Sequence, residues 1–194
     1  MTPMSESRLH TMSLTATADA IAQCALTARA LAEAQLARVA ATDTAIDAWA
    51  HLDPGHVRAE ADRRDAAPRV GRGPLHGIGV GVKDIIATAD QPTQMGSPVY
   101  AGHRPERDAE CIERLQRAGG YVFGKAVTTA FAFLDPSKTK NPWNPRHTPG
   151  GSSAGPAAAV AAGQVAGAIG TQTNGSVIRP AAYCGVIGFK PTKD

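Results

Sequence analysis

The sequence predicts an α/β fold, an open twisted sheet flanked by helices. Three observations carry this expectation. From Pro105 to Phe123 an amphipathic helix, a Gly119-Gly120 stop and a short apolar strand follow one another, the order of an α/β crossover. From Leu75 to Val82 apolar residues mix with Gly77, Gly79 and Gly81, the composition of a buried strand or of a tight backbone approach. Ahead of both lies an alanine-rich stretch with helical periodicity, suited to pack on the outside of a sheet.

The elements follow in chain order. Residues 1–14 read as a flexible tail, and residues 15–194 as the domain. Thr15 to Ala41 is expected as a helix, because Ile21, Cys24, Leu31 and Leu36 belong to apolar positions three or four apart in an alanine-rich background. Asp53-Pro54-Gly55 is a turn, followed by a charged helix from about His56 to Ala66. Asp62 and Asp65 stand among its arginines, which suggests a solvated face. The strand ending near Val82 comes next, then the helix from Pro105 to Ala118 with Ala109, Ile112 and Leu115 on one side, then the strand Tyr121–Phe123. Ser137 to Gly151 is a long irregular loop with three prolines, and its Trp143 argues for packing. Ala157 to Ala162 reads as a short helix, and Gln164 to Gly170 as a strand delivering the chain to Ser176.

The bulk numbers exclude several classes. A chain of 194 residues is long enough to bury a real core. A net charge of +3, with the charges scattered, gives no footprint for nucleic acid or a membrane surface. Cys24, Cys111 and Cys184 are far apart and odd in number, so neither a disulfide framework nor a zinc site is indicated, and a reducing cytoplasm fits. No apolar run is long enough to span a bilayer, and the N-terminus lacks the apolar stretch of a secretory signal.

The chemistry lies in three motifs. One is Gly170-Thr-Gln-Thr-Asn-Gly-Ser176, the second Gly150-Gly-Ser-Ser-Ala-Gly155, the third Gly79-Val-Gly-Val-Lys83-Asp84. A serine hydroxyl is a weak nucleophile until a base takes its proton. None of the six histidines lies in either serine turn. A lysine can serve if burial keeps its amine neutral, and Lys83 sits among Ile78, Val80, Val82, Ile85 and Ile86. Asp84 points the other way if strand alternation holds. The run Thr173-Asn174-Gly175-Ser176 offers unobstructed backbone amides for a developing oxyanion. Taken singly, each motif has a plainer reading: a loop, a surface charge at a strand end, a hairpin turn at Asn174-Gly175. Their joint occurrence points to a hydrolase.

With all three motifs present, the chain resembles the amidase signature family of amide hydrolases from about Leu75 to Thr192. The resemblance is densest in the two serine turns and in the continuation Val177-Ile-Arg-Pro-Ala-Ala-Tyr-Cys-Gly-Val-Ile-Gly-Phe-Lys-Pro-Thr192, with Val82-Lys83-Asp84 as the lysine motif. It implies a mixed sheet and a Ser-cisSer-Lys triad. In that triad Ser176 is the nucleophile, Ser152 the bridging serine on a cis peptide, and Lys83 the general base. The backbone amides of Thr173, Asn174, Gly175 and Ser176 form the oxyanion hole, and an acyl-enzyme is the intermediate. The interval between Ser152 and Ser176 agrees with the family's spacing and favours Ser152 over Ser153. The substrate is then a small-molecule amide, with no cofactor and no metal; which amide, and whether the chain forms a homo-oligomer, stay open.

Several positions depart from the family pattern. Gly79 stands where many members carry proline, Ala130 where many carry glutamate, and Ala154 and Pro156 replace a glycine and a small residue. Gln172 replaces an aspartate and Arg179 comes one place late, which is closer to stand-alone amidases than to a component of the transamidosome. Family members run to about twice this length, so the domain is expected to be truncated. Two alternatives follow: an inactive fragment, and a non-catalytic module whose glycine-serine turns bind an anion or carboxylate.

Overall fold

The computed structural model describes residues 6–192. Four strands form one sheet: β1 (Trp49–His51), β2 (Gly79–Lys83), β3 (Tyr121–Ala126) and β4 (Ala168–Ile169), in the spatial order β1-β3-β2-β4. β2 runs parallel to both β3 and β4, and β1 runs antiparallel to β3, so the sheet is mixed as expected. Among the described residues six α-helices accompany it: α1 (Leu14–Ala22), α2 (Ala28–Ile46), α3 (Pro54–Ala66), α4 (Glu110–Arg117), α5 (Ala154–Ala161) and α6 (Ile178–Cys184).

β3 shows how the helices divide between the two faces. Tyr121 and Phe123 pack with Ala28, Ala32 and Leu36 of α2, Val57 and Ala61 of α3, and Ala158 and Ala159 of α5. Val122, between them, packs with Val82 and with Ile112 of α4. Successive side chains of a strand face opposite ways, so one strand serves both cores. The path β2–α4–β3 is the expected crossover between parallel strands, and Gly119, at φ +90, turns the chain where α4 stops.

Other expectations need correction. Within the segment read as a flexible tail, Glu6–Thr11 is a 3-10 helix; Leu9 is buried among Ile21, Leu26 and Leu31, and that apolar contact holds the segment down. Met1 to Ser5 lie outside the described residues. The single helix expected from Thr15 to Ala41 is two. Cys24 takes φ 57, Ala25 and Leu26 close back on Ala20 O, and Thr27 caps α2 by accepting from Ala30 N at 3.0 Å. Asp65 does not face solvent alone: its carboxylate accepts from Ala28 N and Arg29 N at 2.8 and 2.9 Å, tying α3 to the start of α2. Trp143 is 74% exposed, anchored through its indole N–H to Cys184 O at 2.7 Å instead of by packing its rings inward. The strand expected from Gln164 to Gly170 shrinks to β4, because Gln164 N is still held by Ala159 O at 2.9 Å in the turn that closes α5.

Candidate active site

Lys83 is the last residue of β2, an interior strand of the sheet. Its backbone pairs with Ala126, and its side chain is fully buried. Asp84 leaves in another direction, where its carboxylate accepts from Gln94 N at 3.1 and 3.2 Å. Lys83 Nζ donates to Ser152 Oγ at 2.6 Å and to Thr171 Oγ1 at 2.7 Å, with Thr171 O at 3.5 Å.

Ser152 sits at the mouth of α5, and the peptide bond Gly151–Ser152 is cis. Its carbonyl accepts from Thr129 N at 3.2 Å, and the residue is 2% exposed. Ser153 looks elsewhere. Its Oγ donates to Thr171 O at 3.2 Å and accepts from Thr171 N at 3.3 Å, so it braces the strand end and leaves the lysine to Ser152. α5 reaches this position because Gly155 lets it press on the backbone just after β3 and just before β1; a Cβ there lies 2.3 Å from Val127 N and 2.4 Å from Ala48 O. Pro156 falls in the first turn of α5, where its missing N–H costs nothing.

Ser176 arrives from the turn between β4 and α6. Ser153 N donates to Ser176 O at 3.1 Å, which brings the two serine turns together through the backbone. Ser176 is 9% exposed. Among the described residues its hydroxyl makes no hydrogen bond to Ser152 Oγ, so the direct contact extends from Lys83 to Ser152 and not to Ser176. Among the described residues the amides of Thr173, Asn174, Gly175 and Ser176 donate to no protein acceptor, and Thr173 and Asn174 are exposed.

Two residues that depart from the family pattern hold this turn. Gln172 Oε1 accepts from Val177 N at 2.8 Å and from Ile178 N at 3.0 Å, occupying the amides at the head of α6. Arg179 Nε and Nη2 both donate to Gly151 O, at 3.1 and 2.8 Å. Neither contact was foreseen, and the contact of Thr171 with Lys83 was also missed. In a sequence only the proximity of Thr171 and Gln172 to Ser176 hints at them.

Burial pushes the Lys83 amine down to about 8. A second lysine on the neighbouring strand, Lys125, is equally buried and is also pushed down to about 8, against the pull of Asp84. No group of three or more His, Cys, Asp or Glu suited to a metal ion occurs among the described residues. An open cleft of about 400 Å³ is lined by Asp84, Gln94, Gly96, Thr128 and Ala130, among others. None of Lys83, Ser152 and Ser176 lines it, and Thr129, next to Thr128, links its wall to Ser152.

Comparison with known proteins identifies the family and the fold. A family model described as Amidase matches residues 30–194. A glutamyl-tRNA(Gln) amidotransferase subunit of Chloroflexus aurantiacus is 46% identical over 192 residues, covering 95% of this chain and 39% of the relative. The corresponding subunit of Solidesulfovibrio magneticus is 44% identical over 192 residues, covering 96% of this chain and 39% of that one. Among solved structures, native peptide amidase from Stenotrophomonas maltophilia superposes with a TM-score of 0.87 at 38% identity, over 93% of this chain and 40% of that chain. Fatty acid amide hydrolase superposes with a TM-score of 0.82 at 26% identity, over 95% of this chain and 34% of that one. This chain therefore spans 39% of the length of these curated relatives. A buried lysine on an interior strand, joined to a serine of one glycine-rich turn and backed by a second, is thus found on a matching fold and within the matched span: the chain belongs to the amidase signature family.

Proposed function

We propose that the chain carries the catalytic centre of an amide hydrolase acting on small-molecule amides. The observation that supports this most directly is the 2.6 Å contact between Lys83 Nζ and Ser152 Oγ in a buried setting. With its pKa near 8, about one Lys83 amine in ten is neutral at pH 7. The neutral amine accepts the Ser152 hydroxyl proton while Ser152 Oγ accepts that of Ser176. Ser176 Oγ then bonds to the substrate carbonyl carbon, and the carbonyl π pair moves onto oxygen. The free amides of the Thr173–Ser176 turn receive this oxyanion. As the C–N bond breaks, the proton held on Lys83 returns through Ser152 to the leaving nitrogen. Water follows the same route to release the acid and restore Ser176. In this mechanism the proton passes between the two serine hydroxyls directly or through one bridging water.

The experiment is paired. The chain is treated with a fluorophosphonate probe and assayed for turnover of simple primary amides, beside Ser176→Ala and Lys83→Ala. Labelling at Ser176, lost in Ser176→Ala, is the expected result. Turnover retained by Ser176→Ala removes the nucleophile assignment. Absence of both labelling and turnover leaves an inactive fragment or a ligand-binding module.

The identities to amidotransferase subunits favour a second reading, in which the chain works as part of an amidotransferase assembly. Co-purification with further subunits separates the two. Residence in a reducing compartment is inferred from three free cysteines, Cys24, Cys111 and Cys184. No helix among the described residues is long and apolar enough to cross a membrane.

A further inference from the structure

The proposed reaction leaves Lys125 without a task. In the parallel ladder Lys125 lies opposite Val82, and Ala126 opposite Lys83. The Lys125 amine is fully buried and donates to Ile86 O at 3.0 Å, Pro92 O at 3.1 Å, Thr88 Oγ1 at 3.0 Å and Thr93 Oγ1 at 2.5 Å. Asp84 Oδ1 lies 3.5 Å away. Every one of these acceptors belongs to the segment that begins directly after Lys83.

The two buried lysines differ in the kind of partner they have. Lys83 meets two hydroxyls, which can donate to a neutral amine as well as accept from an ammonium, and no carboxylate is bonded to it among the described residues. Lys125 also meets two hydroxyls, but adds two carbonyl oxygens at 3.0 and 3.1 Å and a carboxylate, which can only accept, where Lys83 has only the Thr171 carbonyl at 3.5 Å. Burial lowers both amines, but only at Lys125 do a carboxylate and well-placed carbonyl oxygens pull back toward the ammonium form. The same segment is closed on itself through Asp84: Asp84 N donates to Ala126 O at 2.9 Å, Met95 N donates to Asp84 O at 2.8 Å, and Gln94 N donates to the carboxylate. Lys125 occupies the centre of the resulting loop.

We infer that Lys125, acting with Asp84, is a positioning residue for Lys83: its ammonium pins residues 84–93 to β3 and so fixes the strand end from which Lys83 reaches Ser152. The inference rests on reading Lys83 as the base, but its test does not use catalysis. The other charged groups facing this cluster are Asp90 and Asp108 toward Lys125, and His51 toward Asp84.

The decisive variant is the double substitution Lys125→Met with Asp84→Asn. It exchanges a neutral ion pair for a neutral pair, so the direct field at Lys83 changes little, while the bonds that pin the segment are lost. The measurement is the titration midpoint of the Lys83 side chain, followed by carbon NMR of labelled lysine and assigned by its loss in Lys83→Met. With a folded double variant, judged by a cooperative melt, the expected result is a rise in the midpoint of about one pH unit or more, a tenfold change in protonation. Such a rise follows if the amine leaves its dry place beside Ser152. A midpoint within about 0.3 units of the parent, on the same scale, overturns the inference and leaves Lys125 a staple for the loop alone. If the double variant does not fold, Thr88→Val with Thr93→Val, which removes two acceptors of the Lys125 amine without changing any charge, is read by the same rule. Fluorophosphonate labelling of Ser176 in the parent decides the catalytic reading separately.

Discussion

Arg179 grips the carbonyl oxygen of Gly151 with two guanidinium donors, Nε at 3.1 Å and Nη2 at 2.8 Å. The contact joins the turn carrying Ser176 to the turn carrying Ser152, and it uses the planar fork that lysine lacks. Arg179→Ala is expected to slow fluorophosphonate labelling of Ser176 about tenfold or more, the worth of a charge-assisted hydrogen bond. Arg179→Lys, which offers one donor, falls between. Thermal melts of both variants should stay cooperative, so that slower labelling does not arise from unfolding. Equal labelling rates across the three proteins would show that the grip has no bearing on the serines.

The Lys83 amine sets a pH dependence of known sign. In the proposed mechanism the reactive form is the free amine, so kcat/KM should rise with pH through a limb near 8. Stability follows by linkage. Between about 8 and the ordinary lysine value near 10.4, the unfolded chain holds a proton that the folded chain has released, so this group makes stability increase with pH across that window. Below about 8 both states are protonated and the cost of burying the charge is fully present. Lys83→Met should therefore abolish turnover and raise the melting temperature at pH 7. The gain should shrink as the buffer is taken toward pH 10. A destabilised Lys83→Met would contradict this assignment of the cost.

Gln172 stands in place of an acid, yet its amide oxygen does a structural task by accepting from Val177 N and Ile178 N. Gln172→Ala leaves two amides without that acceptor and is expected to cost about 1–3 kcal/mol. For a chain of this size that is a fall of roughly 2–12 °C in melting temperature. Gln172→Glu keeps the acceptor and should melt near the parent. Calorimetry on the three proteins checks the ordering.

Two glycines should respond oppositely to the same methyl group. At Gly155 a Cβ meets backbone atoms of Val127 and Ala48 at 2.3 and 2.4 Å, which nothing short of moving α5 relieves. Gly155→Ala is expected to destabilise by about 3 kcal/mol or more and to appear in the insoluble fraction. At Gly175 the nearest atom to a Cβ is Arg179 Cβ at 3.8 Å, an ordinary contact. Gly175→Ala should therefore be soluble with a normal melt, so any loss of Ser176 reactivity reports on the turn's amides and not on folding.

Much of this centre was legible in the sequence because its constraints are local. Lys83 follows an apolar, glycine-bearing run, and Ser152 and Ser176 each lie in a glycine turn, so short motifs mark all three. The strand at Tyr121 and the helices at α3, α4 and α5 announced themselves by periodicity and by flanking glycine or proline. What escaped depends on distant partners. β1 has three residues and exists because β3 offers an edge to Trp49 and His51. Lys125 reads as any strand lysine until the acceptors of residues 84–93 fold over it. The break at Cys24 has no glycine to signal it. α6 was hidden because its seven residues follow straight from the serine turn, and Gln172, outside the helix, holds its first amides.

The two ends of the proposed proton path stand on different foundations. Lys83 is rooted in a strand flanked by neighbours on both edges, whereas Ser176 hangs from a bend ahead of a short helix. An architecture of that kind separates what must stay constant from what can drift. Changes in the bend and its approach would then leave the surroundings of the amine in place.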